Sequence, residues 1–79
     1  MKTELTMPKL RPEMEKGVLV AWLKEAGEGF AKGEPIFEIE TDKVVNQIEA
    51  DEAGTVVSLY VEEGDEVSVG DAIAEVELA

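Results

Sequence analysis

The chain has no cysteine and no histidine. Without cysteine there is no disulfide, no thiolate metal site and no thiol nucleophile. Without histidine there is no imidazole to relay protons near neutral pH or to ligate a metal. Cations are scarce: 7 Lys and Arg stand against 19 Asp and Glu, for a net charge of -12. Nucleic-acid binding needs a basic footprint, so no nucleic-acid partner is expected. Aromatic residues are few, and Trp22, Phe30, Phe37 and Tyr60 are all assigned to core packing. No apolar run approaches the roughly 18 residues of a membrane-crossing helix, and no secretory signal is expected, so no membrane partner is expected either. A cysteine-free chain fits a reducing compartment. The expected location is cytoplasmic, in a bacterium or archaeon, with the mitochondrial matrix as the alternative.

What is present points to one small folded domain over residues 1–79. A chain of this length buries roughly 60% of its unfolded surface. That leaves a thin core and no room for a deep, walled active site. The 44% hydrophobic content argues against disorder. Acidic pairs such as Glu62-Glu63, Asp51-Glu52 and Glu38/Glu40 invite an acid–base or metal reading. They fall at turns or on the polar faces of strands, where solvated charge is the simpler account. No catalytic residue and no metal ligand is therefore assigned, and the chain is read as a non-enzyme.

The organising feature is an internal repeat at an offset of 37 residues. Gly17–Glu40, GVLVAWLKEAGEGFAKGEPIFEIE, aligns without gaps on Gly54–Glu77, GTVVSLYVEEGDEVSVGDAIAEVE. Identical pairs include Gly17/Gly54, Val20/Val57, Gly27/Gly64, Gly33/Gly70, Ile36/Ile73 and Glu40/Glu77. Leu19/Val56, Phe30/Val67 and Ile39/Val76 are similar. The glycines mark turns, so each copy reads as strand, turn, very short strand, turn, strand. Val57, Leu59 and Val61 alternate with Val56, Ser58 and Tyr60, whereas Val18–Leu23 is apolar on both sides and its inward face is ambiguous. Phe37 and Ile39 alternate with Glu38 and Glu40, and Ala74, Val76 and Leu78 with Glu75 and Glu77. These are the period-two patterns of half-buried strands. No stretch supports a long helix, and Glu13–Lys16 forms one turn at most. The expected fold is all-β: a flattened β-barrel or small sandwich with internal pseudo-twofold symmetry.

Between the copies lies Thr41–Ala53, TDKVVNQIEADEA. Glu40 ends one strand and Val44 or Val45 begins the next, so Asp42-Lys43 falls at a tight hairpin turn, where aspartate is favoured. Taken alone, a turn lysine is a solvated surface charge. Here it sits at a hairpin tip midway between two copies of one strand unit.

Glu40-Thr41-Asp42-Lys43 resembles the lipoyl-attachment motif of the 2-oxo acid dehydrogenase acyltransferase family. Met7-Pro8-Lys9-Leu10, Met14 and Gly17, Glu63-Gly64-Asp65 and Gly70 match the same pattern, so the resemblance runs from about Leu5 to Leu78. It implies a barrel-sandwich hybrid of two four-stranded antiparallel sheets with lipoic acid joined as an amide to Lys43. The cofactor's dithiolane would then carry the chemistry. The implied partners are a lipoate-attaching enzyme, a thiamine-diphosphate-dependent decarboxylase, an acyltransferase core and a dihydrolipoyl dehydrogenase. The resemblance assigns recognition by the attaching enzyme to Glu40, Asp42 and Val44. It assigns partner recognition to the loop Lys9, Leu10, Arg11, Glu13, Met14, Glu15 and Lys16. The sequence departs from the family at Arg11, commonly glycine, at Lys16, often glutamate, at Val44, commonly alanine, and at Asn46, usually apolar. Asn46 is expected to be buried near the barrel end with its amide bonded to backbone. A biotinyl carrier shares the architecture, but its lysine is flanked by methionines, and here the flanks are Asp42 and Val44. The lipoylated hydrogen carrier of glycine cleavage is longer, with added helices. An unmodified interaction module is the remaining alternative.

Overall fold

Alternation of apolar and acidic residues becomes eight β-strands in the structure, a computed structural model that describes residues 1–10 and 12–79. The strands are β1 (Lys2–Thr6), β2 (Lys16–Trp22), β3 (Gly29–Phe30), β4 (Pro35–Thr41), β5 (Val44–Glu49), β6 (Gly54–Leu59), β7 (Glu66–Ser68) and β8 (Ala72–Leu78). No helix occurs among the described residues. Glu13–Lys16 is not a helical turn: Pro12 and Glu13 form the turn, and Lys16 already opens β2 opposite Ser68.

Two four-stranded antiparallel sheets result, in the orders β1-β8-β6-β3 and β5-β4-β2-β7. The repeat units do not make one sheet each. β2 of the first copy pairs with β7 of the second, and β6 of the second pairs with β3 of the first. The exchange of short strands ties the halves together. Repeat partners take equivalent places in the shared core, where Leu19 and Val56, Phe30 and Val67, Ile36 and Ile73, and Ile39 and Val76 are all buried.

Symmetric irregularities explain why the alternation in β2 and β6 misleads. Register shifts lie between Leu19 and Ala21 and between Val56 and Ser58, so Val20 and Val57 are bulges at equivalent positions. An extra residue resets which face points inward. Val56 is buried, Val57 is exposed and Leu59 packs against the core again. The strict alternation of Val57 with Leu59 and Val61 therefore breaks at Val57, and the inward residue of the ambiguous first copy is Leu19.

Four turns share one construction. Gly27, Gly33, Gly64 and Gly70 have φ between 84° and 96°, the third position of a type II turn. The acid after each glycine closes the turn twice. The N–H groups of Glu28, Glu34, Asp65 and Asp71 donate to the carbonyls of Glu25, Ala31, Glu62 and Ser68 at 3.0–3.1 Å. Their carboxylates accept the N–H of those same residues at 2.7–3.0 Å. Glu28, Glu34, Asp65 and Asp71 are thus turn clasps.

The aromatic residues divide. Phe30 and Phe37 are buried, and Trp22 is half-buried, with its ring 5.5 Å from Phe37 and its Nε1–H donating to the Val61 carbonyl at 3.0 Å. Tyr60 is not a core residue: it is 47% exposed, just beyond the end of β6. Its hydroxyl donates to Glu4 Oε2 at 3.3 Å, so the polar tip stays wet on the outer face.

Candidate functional site

The β4–β5 hairpin is closed by the Thr41/Val44 pair, leaving Asp42 and Lys43 as a two-residue loop. Both have positive φ, 47° and 67°, and they are the only described non-glycine residues that do. This is a type I′ turn, whose twist matches that of the flanking strands and which ordinarily takes Asn-Gly. Left-handed backbone costs a side-chain-bearing residue roughly 1–2 kcal/mol. Lysine at the second loop position is thus a poor choice for the turn, which points to a use for its side chain.

The base of the hairpin is held tightly. Thr41, the last residue of β4, is the buried polar residue of the core. Beneath it, Gly17 has no room for a side chain: a Cβ there would lie 2.8 Å from Ile39 Cγ2, 2.9 Å from Met7 Cε and 3.1 Å from Thr41 Cγ2. Met7, Gly17 and Thr41 therefore meet at one point, placing the start of the Lys9–Lys16 loop beside the hairpin. That loop is pinned at both ends. The Met7 N–H donates to the Asp71 carbonyl at 2.9 Å, and the Glu15 carbonyl accepts the Val69 N–H at 2.9 Å.

Lys43 is exposed and, among the described residues, no carboxylate forms an ion pair with its ammonium. Lys24 pairs with Glu34 at 2.9 Å and Lys16 with Glu66 at 3.6 Å. Val44 and Val45 follow the lysine at 55% and 51% exposure, so the amine stands beside an apolar flank. The hairpin gathers Glu40, Asp42, Lys43 and Val44 in one place, with Glu40 half-buried on β4 and the other three exposed. In the loop, Lys9, Leu10, Glu13, Glu15 and Lys16 are exposed, whereas Met14 is buried in the core and its sulfur accepts the Leu10 N–H at 3.2 Å. Met14 thus anchors the loop from within. Arg11 lies outside the described residues. Asn46 is half-buried beside Ile48, and its side chain has no hydrogen bond among the described residues, in place of the expected backbone contact. Thr41 and Gly17 both belong to the matched pattern, one inside the motif and one as a matched glycine, but their role as supports of the hairpin shows only in the packing.

An exposed amine at the tip of a strained hairpin, on a pseudo-twofold flattened barrel, defines a domain of the prosthetic-group carrier class. A family model described as biotin-requiring enzyme, covering biotin and lipoyl attachment, matches residues 3–76. The chain is 44% identical over 71 residues to the dihydrolipoyllysine-residue succinyltransferase component of the 2-oxoglutarate dehydrogenase complex of Staphylococcus saprophyticus, covering 90% of this chain and 17% of that protein. It is 41% identical over 73 residues to the dihydrolipoyllysine-residue acetyltransferase component of the acetoin cleaving system of Bacillus subtilis, covering 92% of this chain and 18% of that protein. Among solved structures, the lipoyl domain of the 2-oxoglutarate dehydrogenase complex from Azotobacter vinelandii superposes with a TM-score of 0.76 at 30% identity, covering 92% of each chain. The chain belongs to the biotin/lipoyl attachment family, and the relatives named here lie on its lipoyl side. It spans less than a fifth of the length of the two curated relatives named here.

Proposed function

We propose that Lys43 is the lipoyl attachment site and that the domain is a non-catalytic carrier. The carrying observation is the displayed Lys43 amine, without an ion pair among the described residues and held at a turn position that disfavours lysine. The Lys43 side chain suits an acyl group: Nζ would take an activated lipoate carboxyl as an amide, releasing the activating group and the ammonium's extra protons, so the positive charge would be lost and the chain would move from -12 to -13. When attached, the group supplies a dithiolane able to take up and release acyl groups and electrons. The chain's own contribution is presentation. The type I′ turn fixes the direction in which Lys43 leaves the barrel. The Met7–Gly17–Thr41 contact keeps the hairpin from rocking. Tethering raises the effective concentration of the arm at each partner site.

The partners that suit this chemistry are a lipoate-attaching enzyme reading Glu40, Asp42 and Val44, a thiamine-diphosphate-dependent decarboxylase, an acyltransferase core and a dihydrolipoyl dehydrogenase. These are the components of a 2-oxo acid or acetoin dehydrogenase system, in the cytoplasm. The exposed residues of the Lys9–Lys16 loop, adjoining the hairpin, are the surface on which such partners would be told apart.

Intact mass tests the assignment. Incubation with a lipoate-attaching enzyme, ATP and lipoate should add one lipoyl group to the wild type and none to Lys43→Arg, with the circular dichroism of the two unchanged. A lipoyl group on the Lys43→Arg protein, or a biotin-sized increment on the wild type in a host holding both ligases, would overturn it.

A further inference from the structure

The two sheets leave a seam between their edge strands β1 and β5, which do not pair with each other. A cleft of about 340 Å³ opens there. Its floor is Phe37, Ile36 and Val76, and its walls are Leu5 from β1 and Ile48 from β5. Glu49, Asp51 and Glu52 stand exposed on the rim, and among the described residues no Lys or Arg lines the cleft. Ile48 lies five residues past Lys43, about 17 Å along an extended strand, so the cleft is separate from the hairpin.

The β1 edge supplies hydrogen bonds to this cleft. Leu78 N–H donates to the Met1 carbonyl at 2.9 Å, so Met1/Leu78 is a hydrogen-bonded pair. Pairing alternates along an antiparallel ladder. Thr3/Val76 and Leu5/Ala74 therefore bond to β8, and Lys2 and Glu4 turn their N–H and C=O groups away from it. Thr3 and Leu5 direct their side chains toward the seam. The cleft is at the small end of the range for ligand pockets and runs along an open strand edge, which suits side chains of an added strand better than an enclosed small molecule.

We propose that this cleft docks an extended segment of a partner protein, alternating apolar with basic side chains, added to the β1 edge. Its backbone pairs with Lys2 and Glu4. Its apolar side chains enter between Leu5 and Ile48 onto Phe37. Its lysines or arginines meet Glu49, Asp51 and Glu52, which favours a basic segment over a second copy of this acidic chain. Docking at this distance leaves Lys43 free, and the inference does not depend on what Lys43 carries.

The test is titration of the isotope-labelled, unlipoylated chain with a short capped peptide alternating lysine with leucine. Backbone shifts should concentrate at Lys2–Leu5, Ile48–Glu52 and Leu78. Replacing the leucines by glycine, or the lysines by glutamate, should abolish them. The triple variant Glu49→Gln, Asp51→Asn, Glu52→Gln loses three exposed ion pairs and should bind about tenfold more weakly. Glu4→Pro removes an outward N–H at an edge position where proline is tolerated, and should weaken binding where Glu4→Gln does not. The proposal is overturned if shifts centre on Asp42–Val45 or spread over the whole acidic surface. Equal binding of the glycine peptide, or unweakened binding by the triple variant, would also overturn it. So would cleft shifts that arise without peptide, on concentrating the chain or on lipoylation, because a second copy or the chain's own arm would then be the occupant.

Discussion

At Lys43 the demands of folding and of chemistry oppose each other. Glycine at this φ of 67° would relieve left-handed strain. Part of the gain returns as unfolded-state entropy. Lys43→Gly should therefore raise stability by roughly 0.5–1 kcal/mol in urea denaturation while abolishing attachment. A variant no more stable than the wild type would mean the turn is not strained. Gly17 is the converse case, a residue whose missing side chain lets three others meet. Gly17→Ala forces Ile39, Met7 and Thr41 apart and should cost about 1–3 kcal/mol. The motif Glu40-Thr41-Asp42-Lys43 made the lysine legible in the sequence. The strain at Asp42 and Lys43 and the crowding at Gly17 were not legible, because both depend on backbone angles and on contacts between distant segments.

Among the elements, the four glycine turns recur with the same double clasp. Glu34 shows its electrostatic consequence. The Ala31 N–H, and then Lys24, hold its carboxyl below the ordinary 4.5. A carboxyl depressed in the folded state adds stability above its unfolded pKa and loses it as pH falls through the folded one. The stability difference between the wild type and Glu34→Gln should therefore narrow as pH falls through 4.5 and below, measured by denaturant midpoints across that range. Tyr60 works in the other direction: desolvation, then Glu75 and Glu4, raise its phenol above 10.0, so any stabilisation it adds fades only in strong alkali. The strand–turn–strand–turn–strand order of each half was readable from glycine spacing and acidic alternation. The bulges at Val20 and Val57 were not, since valine fits a bulge and a regular strand equally well in one dimension.

For the whole molecule, charge dominates. A net charge of -12 on 79 residues makes the folded chain repel itself. Raising ionic strength from about 10 mM to about 150 mM shortens the screening length from about 30 Å to about 8 Å. Thermal and urea midpoints should rise over that interval at neutral pH. Midpoints that stay flat or fall would mean that local pairs such as Lys24–Glu34 outweigh the global repulsion. The fold also sets where the lysine stands relative to the chain ends. The β8–β1 pair is the symmetry mate of the β4–β5 hairpin, so Met1 and Leu78 occupy on one sheet the place Lys43 occupies on the other.

The sequence by itself determined the repeat-related apolar positions of the core, the twofold plan and the position of Lys43 on a turn. These depend on periodicity, glycine placement and order along the chain, all of which are local. The tertiary structure alone decided that the halves exchange β3 and β7, that Tyr60 faces out and Met14 in, and that a seam stays open between β1 and β5. Each of these is set by which distant strand lies alongside, a choice made by packing and register across the whole barrel. So the structure moves Lys43 from a solvated turn residue to a lysine held in strained backbone above the contact of Met7, Gly17 and Thr41.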